Sequence, residues 1–431
     1  MAEPNVLERK HMKISIPYGK SDVEFEVPES NLMGVFRPRT VAGVDDESKA
    51  VHDALLNPIR SEPLQEIARG KNRVVIIVTD VTRPAKDHVI VPEILDVLTR
   101  AGVREERIKI VIARGQHREM AYDEVERKLG RKVIDRVKAI QHNPDKNLID
   151  LGTTKRGNQI LVNSEVVKAD LKISTGNIVP HRYAGFGGGG KSILPGVSGR
   201  ETIYRNHLYI IEGKSGPGVV ETNPIRMEMD EAARLVGLDF IVNTVMNSEG
   251  RIVKVFAGHF LSAHREGMKF AKELLGVRLP SKAEVVVSSG SPMDINFYQA
   301  SKALEMGDAV VADGGAFILT SPCYEGIGEK DLYEFLTLKS PGEILSQIKQ
   351  PKRGANLVYA VVAYLMARSR ERIDIVWVSE GLKREQVEAM GFKKVESVQT
   401  AVNESLGTCG KDSRIAVFPQ GPTTLPYLQT I

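Results

Sequence analysis

Gly185–Ser192 reads GFGGGGKS and satisfies the phosphate-cradling pattern G-x-x-x-x-G-K-S at every fixed position. A loop of that kind works between a buried strand and a helix, so that backbone N–H groups and the helix N-terminus face the phosphates. The surroundings here differ. The strand-like run DLKIST ends at Gly176, and NIVPHRYA, with Pro180, separates it from the loop. Pro195 and Gly196 then follow Lys191 too closely for a long helix to start there. Nucleoside triphosphate hydrolysis is therefore weakly supported. A plain linker fits little better, because linkers seldom set a lysine between a histidine-bearing segment and SILPGVSGRETIYRNH. Only glycine removes the Cβ that blocks close approach, so Gly187, Gly188, Gly189 and Gly190 imply that this backbone lies against something. Lys191, projecting from so crowded a loop, is a candidate nucleophile or covalent anchor.

Other reactive side chains gather in similar settings. Asp80 and Arg83 lie in TDVTRP, directly after the strand-like RVVIIVT, and His117 lies in ARGQHRE, directly after RIKIVIA. In open α/β sheets the carboxyl edge of the strands is where ligands bind. His181, in IVPHRYAG, stands ten residues before Lys191, and His207, in YRNHL, sixteen after it. One histidine alone is more often structural than catalytic. Three of them, with an Asp, an Arg and a Lys in loops marked by glycine or proline, make a site. His11, His52, His259 and His264 have polar or helical neighbours and are read as surface residues.

The elements that must position these loops are βα units. Arg73–Thr79 and Arg107–Ala113 are continuous apolar runs of the kind buried on both faces of a parallel sheet, each followed by a helical pattern. A second series comprises EVVVSSG, the helix-like NFYQASKALEMG, AVVADGG and IDIVWVS. The short break at RLPSK separates the two. The expected architecture is α/β with two domains, residues 1–278 and 283–431, each with a mostly parallel sheet flanked by helices and the active site in the cleft between them. The final RIAVFPQGPTTLP either closes the second domain or packs back on the first. On the predicted helix NFYQASKALEMG, Gln299 and Lys302 stand at i and i+3 and share a face.

Composition narrows the classes. Fifty-nine Lys plus Arg against 55 Asp plus Glu give a net charge of +4, too dilute for a nucleic-acid surface. Two distant cysteines, Cys323 and Cys409, suggest neither a disulfide framework nor a zinc ribbon and fit a reducing cytoplasm. No apolar run approaches the ~20 residues of a membrane span.

DVTRP at Asp80–Pro84, GQHR at Gly115–Arg118, PHRYAGFGGGGKSILPG at Pro180–Gly196, Asn206–His207 and YQASKA at Tyr298–Ala303 together resemble the lactate racemase family, in the family's order and over most of the chain. The resemblance implies a racemase of 2-hydroxy acids that uses a covalently tethered nickel-pincer nucleotide, a pyridinium dithio mononucleotide carrying nickel, supplied by maturation enzymes. Position by position, Lys191 resembles the lysine joined to that cofactor and His207 the nickel ligand. His117 and His181 resemble the acid/base pair. Asp80 and Gly187, Gly188, Gly189 and Gly190 resemble the cofactor site, and Arg83, Tyr298, Gln299 and Lys302 the substrate pocket.

The implied chemistry is sound on general grounds. The α-proton of a 2-hydroxy carboxylate is very weakly acidic, and moving that hydrogen as hydride avoids the carbanion. A base removes the hydroxyl proton, and the planar 2-keto acid accepts hydride on either face. Histidines titrating near neutrality suit the two bases needed, and nickel(II) accepts imidazole nitrogen in a square plane. A phosphate-loop hydrolase and a non-catalytic nickel or anion carrier remain the alternatives.

Overall fold

The computed structural model describes residues 10–337, 340–350 and 357–429. It contains two compact units. One is Thr40–Leu274, and the other joins the residues up to Arg39 to Leu275 and beyond.

The Thr40–Leu274 unit is built on a six-stranded sheet in the order Ile252–Gly258, Phe240–Met246, Leu171–Asn177, Val74–Thr79, Ile108–Ala113, Lys138–Gln141. All neighbours are parallel except Ile252–Gly258, which runs antiparallel to Phe240–Met246. Residues 74–78 are buried throughout, as a strand covered on both faces must be, which explains their uninterrupted aliphatic sequence. Helix Asp87–Arg100 contributes Ile90, Ile94 and Leu98 to a core shared with Ile76, Val78, Ile110 and Ile173.

The other unit has a fully parallel six-stranded sheet in the order Lys393–Val395, Asp374–Val378, Val311–Thr320, Ala283–Ser289, Ile415–Phe418, Leu32–Val35. A hairpin of His11–Tyr18 and Ser21–Pro28 alternates in exposure. Its inward residues Ile14, Ile16, Phe25 and Val27 join Val285, Val287 and Ile318 in one core. The α/β class with two mostly parallel sheets flanked by helices is thus observed. The assignment of residues 1–278 to one domain differs from the division of the structure. Leu32–Val35 is an edge strand beside Ile415–Phe418, so the segment before Thr40 belongs with the C-terminal residues. The tail Leu425–Leu428 pairs with Gly276–Leu279 and stays in the same unit. The predicted helix over Asn296–Gly307 is interrupted at Ser301, giving Phe297–Ala300, capped by Asn296, and Lys302–Gly307.

Candidate active site

Three adjacent parallel strands, Leu171–Asn177, Val74–Thr79 and Ile108–Ala113, end at one edge of the Thr40–Leu274 sheet. Parallel pairing puts all their carboxyl ends together, so the loops bearing Asp80 and Arg83, His117, and His181 with Lys191 leave from the same place. Gly115 N–H donates to the Gly196 carbonyl at 3.0 Å, tying the His117 loop to the segment after Lys191.

Asp80 is buried and His117 is exposed, and His117 Nδ1 lies 2.6 Å from Asp80 Oδ2. The other carboxylate oxygen, Oδ1, accepts from the Thr82 amide at 3.1 Å and the Thr82 hydroxyl at 2.5 Å. Burial alone would raise the Asp80 pKa. The His117 hydrogen bond and charge, Arg83 and the Thr82 hydroxyl outweigh it and hold the carboxyl well below the usual range. Asp80 is therefore an ionised acceptor that fixes His117 through Nδ1 and leaves Nε2 for other partners. Arg83 Nη1 is steadied by the Thr82 carbonyl and hydroxyl, both at 3.1 Å.

His181 sits in a two-residue strand, Pro180–His181, paired with Gly185–Phe186. Its Nδ1 accepts from the amides of Tyr183 at 3.2 Å and Ala184 at 3.3 Å. Burial pushes its pKa well below the ordinary value, and the charges of Lys191, Arg83, Arg182 and Arg226 push the same way. Tyr183 bridges the histidines: its ring centroid is 5.8 Å from that of His181 and 4.9 Å, edge-on, from that of His207. His207 is buried and lowered to about 4, first by desolvation and then by Lys191. The Ile203 carbonyl one turn earlier favours the charged form, yet Nδ1 finds no hydrogen-bond partner of normal geometry among the described residues. Lys191 thus acts electrostatically on both imidazoles, and Arg83 on both Asp80 and His181. These fields link Lys191, Arg83, Asp80, His181 and His207, and His117 joins them by its bond to Asp80.

The glycine loop lies in close contact with the rest of the protein. An added Cβ at Gly187 would stand 2.8 Å from the Asn177 carbonyl, at Gly188 2.5 Å from Asn243 Oδ1, at Gly189 2.6 Å from the His264 ring, and at Gly190 2.7 Å from the Met229 carbonyl. The space that glycine leaves is filled by the protein itself. Gly188 and Gly189 also have positive φ, 76° and 59°. No α-helix starts at the loop, which forms a four-residue 3-10 turn, Gly189–Ser192. His264, read from sequence as a surface residue, is fully buried, and its Nε2 hydrogen-bonds the Gly187 carbonyl at 2.7 Å.

Buried charges that the sequence reading missed hold these loops. Arg226 has no exposed surface. It donates to the carbonyls of Ala184 at 2.9 Å and Gly188 at 3.2 Å and to that of Phe186, and desolvation brings it down to about 10. Lys128 donates to the carbonyls of Arg83 and Ala85, both at 2.8 Å, and pairs with buried Asp87 at 3.1 Å. Arg114 donates to the carbonyl of His117 and, at 2.7 Å, to that of His142. Asn206, the residue before His207, donates at 3.0 Å to the buried carboxylate of Glu228, which also accepts from Thr154 at 2.7 Å, Asn158 at 2.9 Å and Tyr209 at 3.1 Å. A signal was present: helix Pro224–Val236 carries Arg226, Glu228 and Asp230 among apolar residues that must also be covered.

In the other unit, Lys302 Nζ donates to Gln299 Oε1, a contact that their spacing allows. Tyr298 packs edge-on against Tyr359, with centroids 5.2 Å apart. Among the described residues no helix is long and apolar enough to cross a membrane, and no group of three or more His, Cys, Asp or Glu could hold a metal ion.

Residues 18–218 match the family model of the lactate racemase N-terminal domain and residues 279–425 that of the lactate racemase C-terminal domain. The lactate racemase of Thermoanaerobacterium thermosaccharolyticum is 33% identical over 421 residues, 96% of this chain and 98% of that protein. The lactate racemase of Lactiplantibacillus plantarum is 31% identical over 416 residues, 95% of this chain and 98% of that protein. The structure of the T. thermosaccharolyticum lactate racemase apoprotein gives a TM-score of 0.90 at 32% identity, over 96% of this chain and 100% of that one. A Thermotoga maritima protein at 19% identity shares the fold, with a TM-score of 0.68 over 90% of this chain and 100% of that one. Family models over most of the chain, near-complete relatives and a matching fold agree: the chain belongs to the lactate racemase family of isomerases.

Proposed function

We propose that this protein interconverts the two hands of a lactate-like 2-hydroxy acid. The observation that carries the reading is the Asp80–His117 pair, a buried ionised carboxylate 2.6 Å from an exposed imidazole, on the sheet edge that also bears Arg83, His181 and Lys191. The named relatives support lactate as the first substrate to try.

Arg83 is proposed to grip the substrate carboxylate, because a guanidinium can meet both oxygens at once. His117 Nε2 takes the hydroxyl proton, with Asp80 orienting the ring and balancing the charge that forms. His181 serves the opposite substrate face. Tyr298, Gln299 and Lys302 are proposed as further substrate contacts on the strength of the resemblance.

The residues fit a tethered nickel-pincer nucleotide. Lys191 is the proposed anchor, with Asp80 and the Gly187–Gly190 backbone beside it. His207 offers a neutral imidazole whose buried Nδ1 is unmatched among the described residues. His207 would be the side chain through which the protein holds the metal. When bound, the group supplies a hydride acceptor. Maturation enzymes that install it are the proposed protein partners.

The test is chiral analysis of L- and D-lactate after incubation with protein matured in the presence of the cofactor pathway. Either enantiomer is expected to reach an equal mixture. Failure to interconvert any 2-hydroxy acid, in protein whose Lys191 carries the adduct, would overturn the reading.

A further inference from the structure

His117 and His181 meet their surroundings through the same ring atom but in opposite senses. His117 Nδ1 meets an ionised carboxylate oxygen, which can only accept, so Nδ1 carries the proton and Nε2 the lone pair. His181 Nδ1 meets two backbone N–H groups, of Tyr183 and Ala184, which can only donate. Its lone pair is therefore at Nδ1 and its proton at Nε2. A second proton on this ring would set N–H against two N–H donors. Burial and the charges of Lys191, Arg83, Arg182 and Arg226 also disfavour the imidazolium.

We infer that the resting protein holds His117 and His181 as opposite tautomers, so that only His117 presents a proton acceptor at Nε2 while His181 presents a donor. The consequence for turnover rests on the proposed racemisation. The substrate hand whose hydroxyl faces His117 reacts at once: its O–H bond breaks, Nε2–H forms, and Asp80 remains ionised. The other hand meets the His181 Nε2–H as a hydrogen-bond donor. For His181 to accept a proton at Nε2, the turn of residues 181–184 has to withdraw its amides from Nδ1, and the ring has to take up a proton from water at Nδ1 while it gives its Nε2 proton back to water. His181 is thus coupled to a backbone rearrangement that His117 does not need.

The test uses the full chain labelled with nitrogen-15 in its histidine rings, without cofactor, and long-range proton–nitrogen correlation near neutral pH. His117→Gln and His181→Gln identify the two rings by subtraction. His117 is expected to show a protonated-type Nδ1 and an unprotonated-type Nε2, and His181 the reverse. Asp80→Asn adds an independent arm. The Thr82 amide keeps an oxygen at the Oδ1 position, so the new NH2 faces His117 and switches that ring to the Nε2–H form, while His181 is unchanged. The same tautomer for both rings, or an unmoved His117 signature in Asp80→Asn, would overturn the inference. In the matured protein, single-turnover traces should show a lag for one enantiomer only, and equal traces would sink the coupling to the turn. Opposite tautomers in a chain that racemises nothing would instead refute the proposed function and leave the tautomer assignment standing.

Discussion

Arg226→Met tests whether a buried cation sets the shape of the Lys191 loop. Methionine fills part of the volume but donates no hydrogen bond. Three carbonyls, those of Ala184, Phe186 and Gly188, lose their charged donor. Each such bond contributes about 1.5–3 kcal/mol, so the gross loss is about 4–9 kcal/mol. Against this stands the relief of no longer desolvating a guanidinium, worth several kcal/mol. Asp230 is not orphaned, because Arg265 holds it at 2.6 Å. The net penalty is about 3 kcal/mol and falls first on the loop. Hydrogen exchange followed by mass spectrometry on peptides spanning residues 184–192 reads it directly. If opening precedes exchange, ~3 kcal/mol corresponds to protection lower by a factor on the order of 100. Peptides from strand Val74–Thr79 should change far less. Arg226→Lys should fall between wild type and Arg226→Met, since one ammonium cannot serve three divergent carbonyls. Unchanged protection of the loop in Arg226→Met would refute the assignment.

Lys191→Ala should carry no covalent nucleotide after incubation with the maturation enzymes, measured by intact mass, and a stoichiometric adduct in that variant would exclude Lys191 as anchor. Arg83→Lys keeps the charge but loses the two-pronged grip, so kcat/KM on the best 2-hydroxy acid should fall by the equivalent of about 2–4 kcal/mol; near-wild-type turnover would make Arg83 a residue of loop structure only. His142 is buried and its pKa is lowered to about 4, chiefly by desolvation, with Nε2–H donating to the Ser198 carbonyl at 2.8 Å. Because its folded pKa lies below the unfolded value, the neutral ring's contribution is complete above about pH 6.5 and disappears as pH falls towards 4, by at most about 3 kcal/mol. His142→Gln should therefore flatten the pH dependence of urea unfolding in that window, and a slope equal to wild type would show that the ring is not held neutral.

What can be read from the sequence follows the range of the interactions involved. The aliphatic runs after Arg73 and Arg107 announce strands because burial on both faces is written into consecutive residues. The reactive residues directly after them then fall at one edge by parallel pairing. The place of Leu32–Val35 beside Ile415–Phe418 is not legible, since an edge strand is defined by a partner far away in the chain. His264 reads as a surface residue because Arg265 and Glu266 give its stretch a polar look. Its own direction, inward to the Gly187 carbonyl, is set by tertiary packing. The glycine run is legible as a place of close approach but not as to what approaches. Asn177, Met229, Asn243 and His264 come from four separate segments.

That same arrangement bears on how quickly and how tightly a ligand can be received. A glycine-rich loop left to itself samples many backbone states, and a ligand that selects one of them loses affinity in proportion to its rarity. Here the choice of state is made during folding. Asn243 accepts the Gly189 amide at 2.9 Å, and Arg226 and His264 hold the carbonyls of Gly188 and Gly187 just before it. Glycine, usually the most pliable residue, is used in this loop for fit rather than for motion. A ligand bound at Lys191 would meet a surface whose ordering cost was met during folding, and its affinity should change little with loop mobility.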